Sequence, residues 1–172
     1  MGDAAQHDDG RVMSSDAFVG FYRQHLPAVY GYLVHLCAGD RQRAEDLTQD
    51  TFLALVAQLN AGNASCADVR WLITVARSKF LDWARRDRRL RAKLRLLGDQ
   101  PGDDDTTPSA DDVLDHLRTL QPLHRLVLVM RYVDELAVPD IAREIDREVS
   151  ATYSLLARAR AEMRRHAAEA MT

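Results

Sequence analysis

Residues 70–86 read RWLITVARSKFLDWARR. Trp71, Leu72, Val75, Ala76, Phe80 and Trp83 recur at three- and four-residue steps, so on a helical wheel they form one broad apolar arc. Arg70, Thr74, Arg77, Ser78, Arg85 and Arg88 gather on the other side. The stretch therefore predicts a helix with one face for a core and one for a polyanion. Guanidinium forks neutralise phosphates, and the hydroxyls between them reach sugars or base edges. The basic character extends further: residues 70–95 hold ten Arg or Lys against two Asp, which leaves +8. A solvated charged face is the plainer reading of such a pattern, and this concentration of charge weighs against it.

Toward the N-terminus, a second helix is predicted over about 41–59, its buried side marked by Ala44, Leu47, Phe52, Leu55, Val56 and Leu59. Asp46, Gln49, Asp50 and Leu53 stand at i, i+3, i+4 and i+7 and share the opposite face. An acidic face with one apolar spot suits a basic partner, although spacing alone favours an ordinary solvated face. Acid–base catalysis finds no support, because no nucleophile or metal cluster accompanies the carboxylates. A first helix opens at Ser14, Ser15 or Asp16 and ends at Gly39-Asp40, with Pro27 expected to kink or interrupt it. The tail of residues 1–13 is polar and aperiodic and is expected to be disordered. Residues 60–68, NAGNASCAD, are a loop.

Toward the C-terminus, residues 98–108 read GDQPGDDDTTP, and residues 99–115 contain seven Asp and no Lys or Arg. This composition predicts a flexible, self-repelling linker over 97–110 between domains at 14–96 and 111–168. Short helices are expected over 111–120, 122–133 and 138–145, and a longer one over 150–168. Residues 136–160, LAVPDIAREIDREVSATYSLLARAR, read as two helices joined by a tight turn, with Ser150 as N-cap of the second. A helix-turn-helix of this form places Ser150, Ala151, Thr152, Tyr153 and Ser154 at base edges in a major groove, with Arg158 following. A simple helical hairpin has the same pattern.

Composition agrees with an all-α chain of two small helical domains. Hydrophobic residues make up 47% of 172, with few internal Gly or Pro and much Ala, Leu and Arg. A net charge of -3 excludes a uniformly basic nucleic-acid binder, so binding must rest on how charge is distributed. Cys37 and Cys66 form no Cys-x-x-Cys pair, so neither a disulfide framework nor a metal site is expected, and no cofactor is called for. No stretch approaches the ~18 apolar residues of a membrane span, and the N-terminus lacks the apolar run of a signal peptide. A cytoplasmic location follows.

In this order the pieces resemble the extracytoplasmic-function class of bacterial RNA polymerase sigma factors. Residues 18–89 are similar to sigma region two: an aromatic first helix, then AEDLTQDTFLAL at 44–55, then RWLITVARSKFLDWARR. Residues 120–164 are similar to region four, LQPLHRLVLVMRYVDELAVPDIAREI followed by a helix closing in Arg158, Ala159 and Arg160.

The resemblance implies a promoter-specificity subunit with no catalysis of its own. It makes Asp46, Gln49, Asp50 and Leu53 the surface for the beta-prime clamp helices of core polymerase, with the beta flap as a further contact. Asn60 and Asn63 fall in the loop that captures an unstacked base of the downstream (-10) element. Arg70, Trp71, Thr74, Arg77, Ser78, Arg85, Arg86 and Arg88 hold that element and its backbone. Ser150, Ala151, Thr152, Tyr153, Ser154 and Arg158 read the upstream (-35) element. An anti-sigma factor is the implied inhibitor.

The chain departs from the family pattern at Asp68, where an aromatic is common, at Ser78, where Asn is frequent, and at Tyr153 and Leu155, where Lys and Arg are common. Asp146, Arg147 and Glu148 replace the usual Gly-hydrophobic-Ser turn, and Asp tolerates the left-handed conformation that such a turn needs. The alternative is a stand-alone helix-turn-helix regulator that needs no core polymerase, which leaves Asp46, Gln49 and Asp50 without a role.

Overall fold

The computed structural model describes residues 13–63, 68–96, 117 and 119–170. Among them the regular elements are helices: α1 Ser15–Leu36, α2 Arg41–Asn60, α3 Val69–Leu96, α4 Pro122–Tyr132, α5 Val138–Glu144 and α6 Val149–Ala170. Residues 1–12 of the expected N-terminal tail, the 97–110 linker and most of the helix expected over 111–120 lie outside the described residues, while Met13, the last residue of that tail, packs against the core.

Ser14 opens α1, its Oγ accepting from the Ala17 amide at 3.2 Å. Pro27 does not interrupt the helix. Its position is exposed, so the carbonyl that its ring leaves unbonded is open to water, while Val29, Leu33 and Leu36 anchor the far side in the core. The stop is a tight reversal in which the Gly39 amide donates to Val34 O at 2.9 Å and the Ala38 amide to His35 O at 3.2 Å. Both Ala38 and Gly39 take positive φ, 55° and 81°. Asp40 then starts α2, its carboxylate accepting from the Arg43 amide at 2.9 Å.

Helices α1 to α3 form a bundle around Leu33, Leu36, Phe52, Leu55, Leu72 and Phe80. Tyr22 meets Phe52 edge-on at 4.7 Å, and the Arg43 guanidinium lies over the Trp83 ring at 5.2 Å. Thr48 and Thr51 are buried polar residues that the helix itself satisfies, their hydroxyls donating to Ala44 O and Leu47 O.

Cys37, at the end of α1, is buried, and that burial together with the charge of Asp40 pushes its thiol from an ordinary 9.0 up to about 12. The folded chain keeps this proton where the unfolded chain loses it, so stability is full below pH 9 and falls as pH rises from there toward 12. Urea unfolding across this range is expected to show the decline, and Cys37→Ala to flatten its first part. An unchanged slope in that variant would place the loss in other groups.

In the second half, α4 contributes Leu126, Val127 and Met130, α5 Ile141 together with its C-cap Ile145, and α6 Leu155, Leu156 and Ala159. The α5–α6 turn uses Asp146 in the left-handed region, φ 54°, with the Arg147 amide donating to Ala142 O at 2.9 Å. The start of α6 differs from the sequence expectation. It begins at Val149, and Glu148 O accepts both the amide and the hydroxyl of Thr152, at 2.9 and 3.0 Å. Ser150 therefore lies inside the first turn and is not the cap.

The two halves pack on each other, and their buried apolar residues form one contiguous core. Arg125 of α4 crosses the boundary. It is 5% exposed and donates to Leu117 O at 2.8 Å, Leu120 O at 3.0 Å and Leu36 O at 2.5 Å, the last at the C-terminal end of α1. A cation there also meets the negative end of the α1 dipole.

Candidate polymerase and nucleic-acid interface

The acidic face of α2 is open. Asp46, Gln49, Asp50 and Leu53 are all exposed, Leu53 to 64%, while Leu47, Phe52, Leu55 and Leu59 turn inward. An exposed leucine between carboxylates is a small apolar anchor in an anionic field, the arrangement that suits a basic protein surface.

On α3 the expected nucleic-acid residues divide. Arg70, Thr74, Ser78, Arg85, Arg86 and Arg88 are exposed, and Trp71 is half-buried against the core. Asn60 and Asn63, at the end of α2 and just beyond, are exposed, the Asn63 amide donating to the Gln58 side chain at 2.7 Å. Residues 64–67 of the loop lie outside the described residues.

Arg77 is the exception. It is 8% exposed, and its guanidinium donates to Asp134 at 2.9 Å and to Thr74 Oγ1 at 3.2 Å, with Glu144 3.7 Å away. Asp134 follows α4, and the same carboxylate oxygen accepts from the Tyr32 hydroxyl of α1 at 2.8 Å. Burial works against the Arg77 charge, but the Asp134 hydrogen bond and the neighbouring Tyr32, Asp134 and Glu144 outweigh it and hold the pKa above the ordinary arginine value. Burial, then Asp134, pushes the Tyr32 hydroxyl well above its usual range. Arg77 Nε finds no hydrogen-bond partner among the described residues.

The helix-turn-helix presents Ser150, Ala151, Tyr153, Ser154 and Arg158 outward. Thr152 is fully buried and fastens the first turn of α6 through Glu148. Leu155 is likewise turned into the core, at 3% exposed.

Arginines from both halves share two clefts. One, of about 350 Å³, is lined by Arg85, Arg88 and Arg89 of α3 and by Arg147 of the α5–α6 turn. The other, of about 420 Å³, brings Arg88 and Arg91 together with Arg147 and Arg158. A third, almost wholly apolar groove of about 940 Å³ runs between α1, α4 and α6.

Sequence reading did not assign Tyr32, Asp134, Glu144 or Arg125 to the boundary between the halves. One signal was available for Arg125, a charge at the head of the apolar run LVLVM, where a buried cation must find acceptors. Nothing local in the sequence pairs Asp134 with Arg77, 57 positions earlier.

Comparison with known proteins supplies the class. Sigma-70 region 2 matches residues 21–90 and Sigma-70 region 4 matches residues 110–163. The chain is 27% identical over 164 residues to RNA polymerase sigma factor YlaC of Bacillus subtilis, covering 88% of this chain and 92% of that protein. It is 28% identical over 174 residues to ECF RNA polymerase sigma factor BldN of Streptomyces coelicolor, covering 91% of this chain and 66% of that protein. It shares its fold with the sigma factor RpoE solved in complex with the anti-sigma factor NepR from Bartonella quintana, at TM-score 0.58 and 21% identity over 86% of this chain and 94% of that one. The fold and its two matched regions define a promoter-recognition subunit of RNA polymerase. Within that class, the chain belongs to the extracytoplasmic-function sigma factors.

Proposed function

We propose that this sigma factor binds core polymerase through Asp46, Gln49, Asp50 and Leu53, takes the -10 element with Asn60, Asn63 and the basic face of α3, and reads the -35 element with the exposed residues of α6. The segregation of charge carries this reading: an open acidic face on α2 and an open basic face on the α3 helix packed beside it. Neighbouring helices of opposite surface sign suit two partners of opposite sign, a basic protein surface and DNA. In α6, Ser150, Ala151, Tyr153, Ser154 and Arg158 make the base and backbone contacts, and Thr152 positions them from below. The chain contributes recognition and strand capture, the chemistry belongs to the polymerase, and the protein works in the cytoplasm where that enzyme is. A protein inhibitor of the anti-sigma kind regulates it, as NepR accompanies the related RpoE.

Run-off transcription with core polymerase and genomic fragments tests the proposal. Promoter-dependent transcripts are expected, and Arg86→Ala or Arg88→Ala is expected to weaken holoenzyme binding to promoter DNA while lowering the slope of log affinity against log salt by about one each. Absence of any such transcript together with absence of core binding would overturn the assignment.

A further inference from the structure

Residues 148–157, at the start of the recognition helix, read EVSATYSLLA and hold a single charge, Glu148. Exposed arginines stand on either side of them, Arg143 and Arg147 before and Arg158, Arg160, Arg164 and Arg165 after. Phosphates are therefore met from the flanks, while the end of α6 that enters a groove carries no cation. That end is also poor in donors. Thr152 is buried, and the exposed Ser154 gives its hydroxyl proton to Ser150 O at 3.1 Å, so it turns only lone pairs outward. Leu155 and Leu156 face the core.

Guanine shows two acceptors side by side, N7 and O6, and is read by two parallel donors. None of the exposed side chains from Ser150 to Ala157 carries two. What they present is an aromatic ring: Tyr153 is 57% exposed, with the methyl of Ala151 also open. A ring and a methyl pack on the C5-methyl of thymine, and the lone pairs of Ser154 accept from the amino group of its partner adenine. Cytosine offers an amino group too, but lacks the methyl. Arg158 differs from these residues. Its Nε donates to Ser154 O at 3.4 Å, which leaves the two terminal guanidinium nitrogens for the N7 and O6 of a guanine. It follows Tyr153 by about 7.5 Å along the axis at 1.5 Å per residue, roughly two base-pair steps of 3.4 Å.

We propose that Tyr153 is a specificity-determining residue for the upstream element: the start of α6 selects an A·T pair through the thymine methyl, and guanine is confined to the pair that Arg158 reaches. This rests on the functional reading of α6 above. A tyrosine hydroxyl can instead hold a phosphate, a contact without sequence information. The flanking arginines already fill that role, and Glu148 beside the start of α6 opposes a phosphate there.

Binding selection from a duplex pool with a short randomised stretch, run with the full chain alone and with its complex with core polymerase, tests this. Enrichment of a thymine and a guanine roughly two base pairs apart is expected. In the enriched duplex, deoxyuridine in place of that thymine removes the methyl and keeps every hydrogen-bonding group. Affinity is expected to fall about fivefold, the low end for one mismatched pair, in the native chain and in Tyr153→Phe. In Tyr153→Ala the same replacement is expected to have no effect, because the contact is already gone. Arg158→Ala is expected to relax the preference at the guanine and to keep the sensitivity to deoxyuridine. Tyr153 and Arg158 are exposed, so these variants are expected to melt like the native chain.

Deoxyuridine without effect on the native chain would overturn the proposal, and a Tyr153→Phe that binds all sequences more weakly would then assign the hydroxyl to a phosphate. Enrichment of runs of guanine, or of no sequence in either arm, would overturn it as well. Promoter-dependent transcription without a deoxyuridine effect refutes the role of Tyr153 alone. Deoxyuridine sensitivity in a chain that does not bind core polymerase refutes the polymerase assignment alone.

Discussion

Arg125→Met is expected to lower the unfolding free energy by about 3 kcal/mol, because the guanidinium is the shared donor of three buried carbonyls, and methionine removes that donor from Leu36 O and Leu120 O while Leu117 O keeps the Leu120 amide at 3.3 Å. A buried carbonyl stripped of its hydrogen bond costs on the order of 1–3 kcal/mol. Leu36 O and Leu120 O together set an upper range, and two effects reduce it. Carbonyls at a helix end and in a turn recover part of their hydration by small shifts. Methionine also ends the burial of an unpaired cation, whose cost shows in the lowering of the Arg125 pKa to about 10 by desolvation. Below about pH 9 Arg125 is protonated in both the folded and unfolded chain, so the loss is expected to be flat with pH there.

Arg125→Lys is expected to recover only part of the stability, since one ammonium on a flexible stem cannot meet the planar fork's three acceptors. Urea unfolding followed by circular dichroism measures both variants. Amide exchange across residues 36–40 reports the fraying of the α1 terminus that loses its cap. A loss below about 1 kcal/mol in Arg125→Met would mean that the carbonyls are satisfied without the arginine.

Reversing the acidic face of α2 is expected to act on function with almost no effect on folding. Asp46 and Asp50 are exposed, one helical turn apart, and take part in none of the ion pairs among the described residues. Surface substitutions of this kind usually change stability by no more than about 0.5 kcal/mol. At an interface, two reversed charges meet like charges on the partner, and a loss of about 2 kcal/mol or more is the scale of a hot spot, equivalent to at least about thirtyfold in affinity. The Asp46→Lys, Asp50→Lys double variant is therefore expected to lose core polymerase binding in a titration and to fail in run-off transcription while melting like the native chain. Leu53→Asp removes the apolar anchor, which is 64% exposed, and is expected to have a smaller effect in the same direction. Wild-type core affinity in the double variant would move the polymerase contact to another surface and leave α2 as a solvated face.

These two variants probe opposite kinds of residue, and the difference marks how far the sequence could be read. The α2 face was legible because helical periodicity assigns each position to an inner or outer side, and Asp46, Gln49, Asp50 and Leu53 fall together on the outer one. The Asp146 turn was legible for a related local reason: few residues other than Gly accept a left-handed backbone, Asp is among them, and φ there is 54°. Where a cap depended on competing neighbours, local reading was off by a short step. Ser150 has the right chemistry for an N-cap, yet the chain starts α6 at Val149 and lets Glu148 O take both donors of Thr152.

The sequence by itself determined that the chain is all-helical, which faces of its helices are apolar, where charge is concentrated, and that residues 18–89 and 120–164 carry sigma-factor patterns. Those properties are set by spacings of three or four residues and by short-range backbone preferences. Only the tertiary structure decided that Arg77 leaves the open basic face for Asp134, that Thr152 supports the recognition helix from the core, and that Arg125 closes the end of α1 from the other half of the chain. A periodic pattern states that a side chain must be buried or solvated. It does not say which group 57 or 89 positions away will pair with a buried charge, because that choice is made by packing, where an unpaired cation is too costly to leave alone.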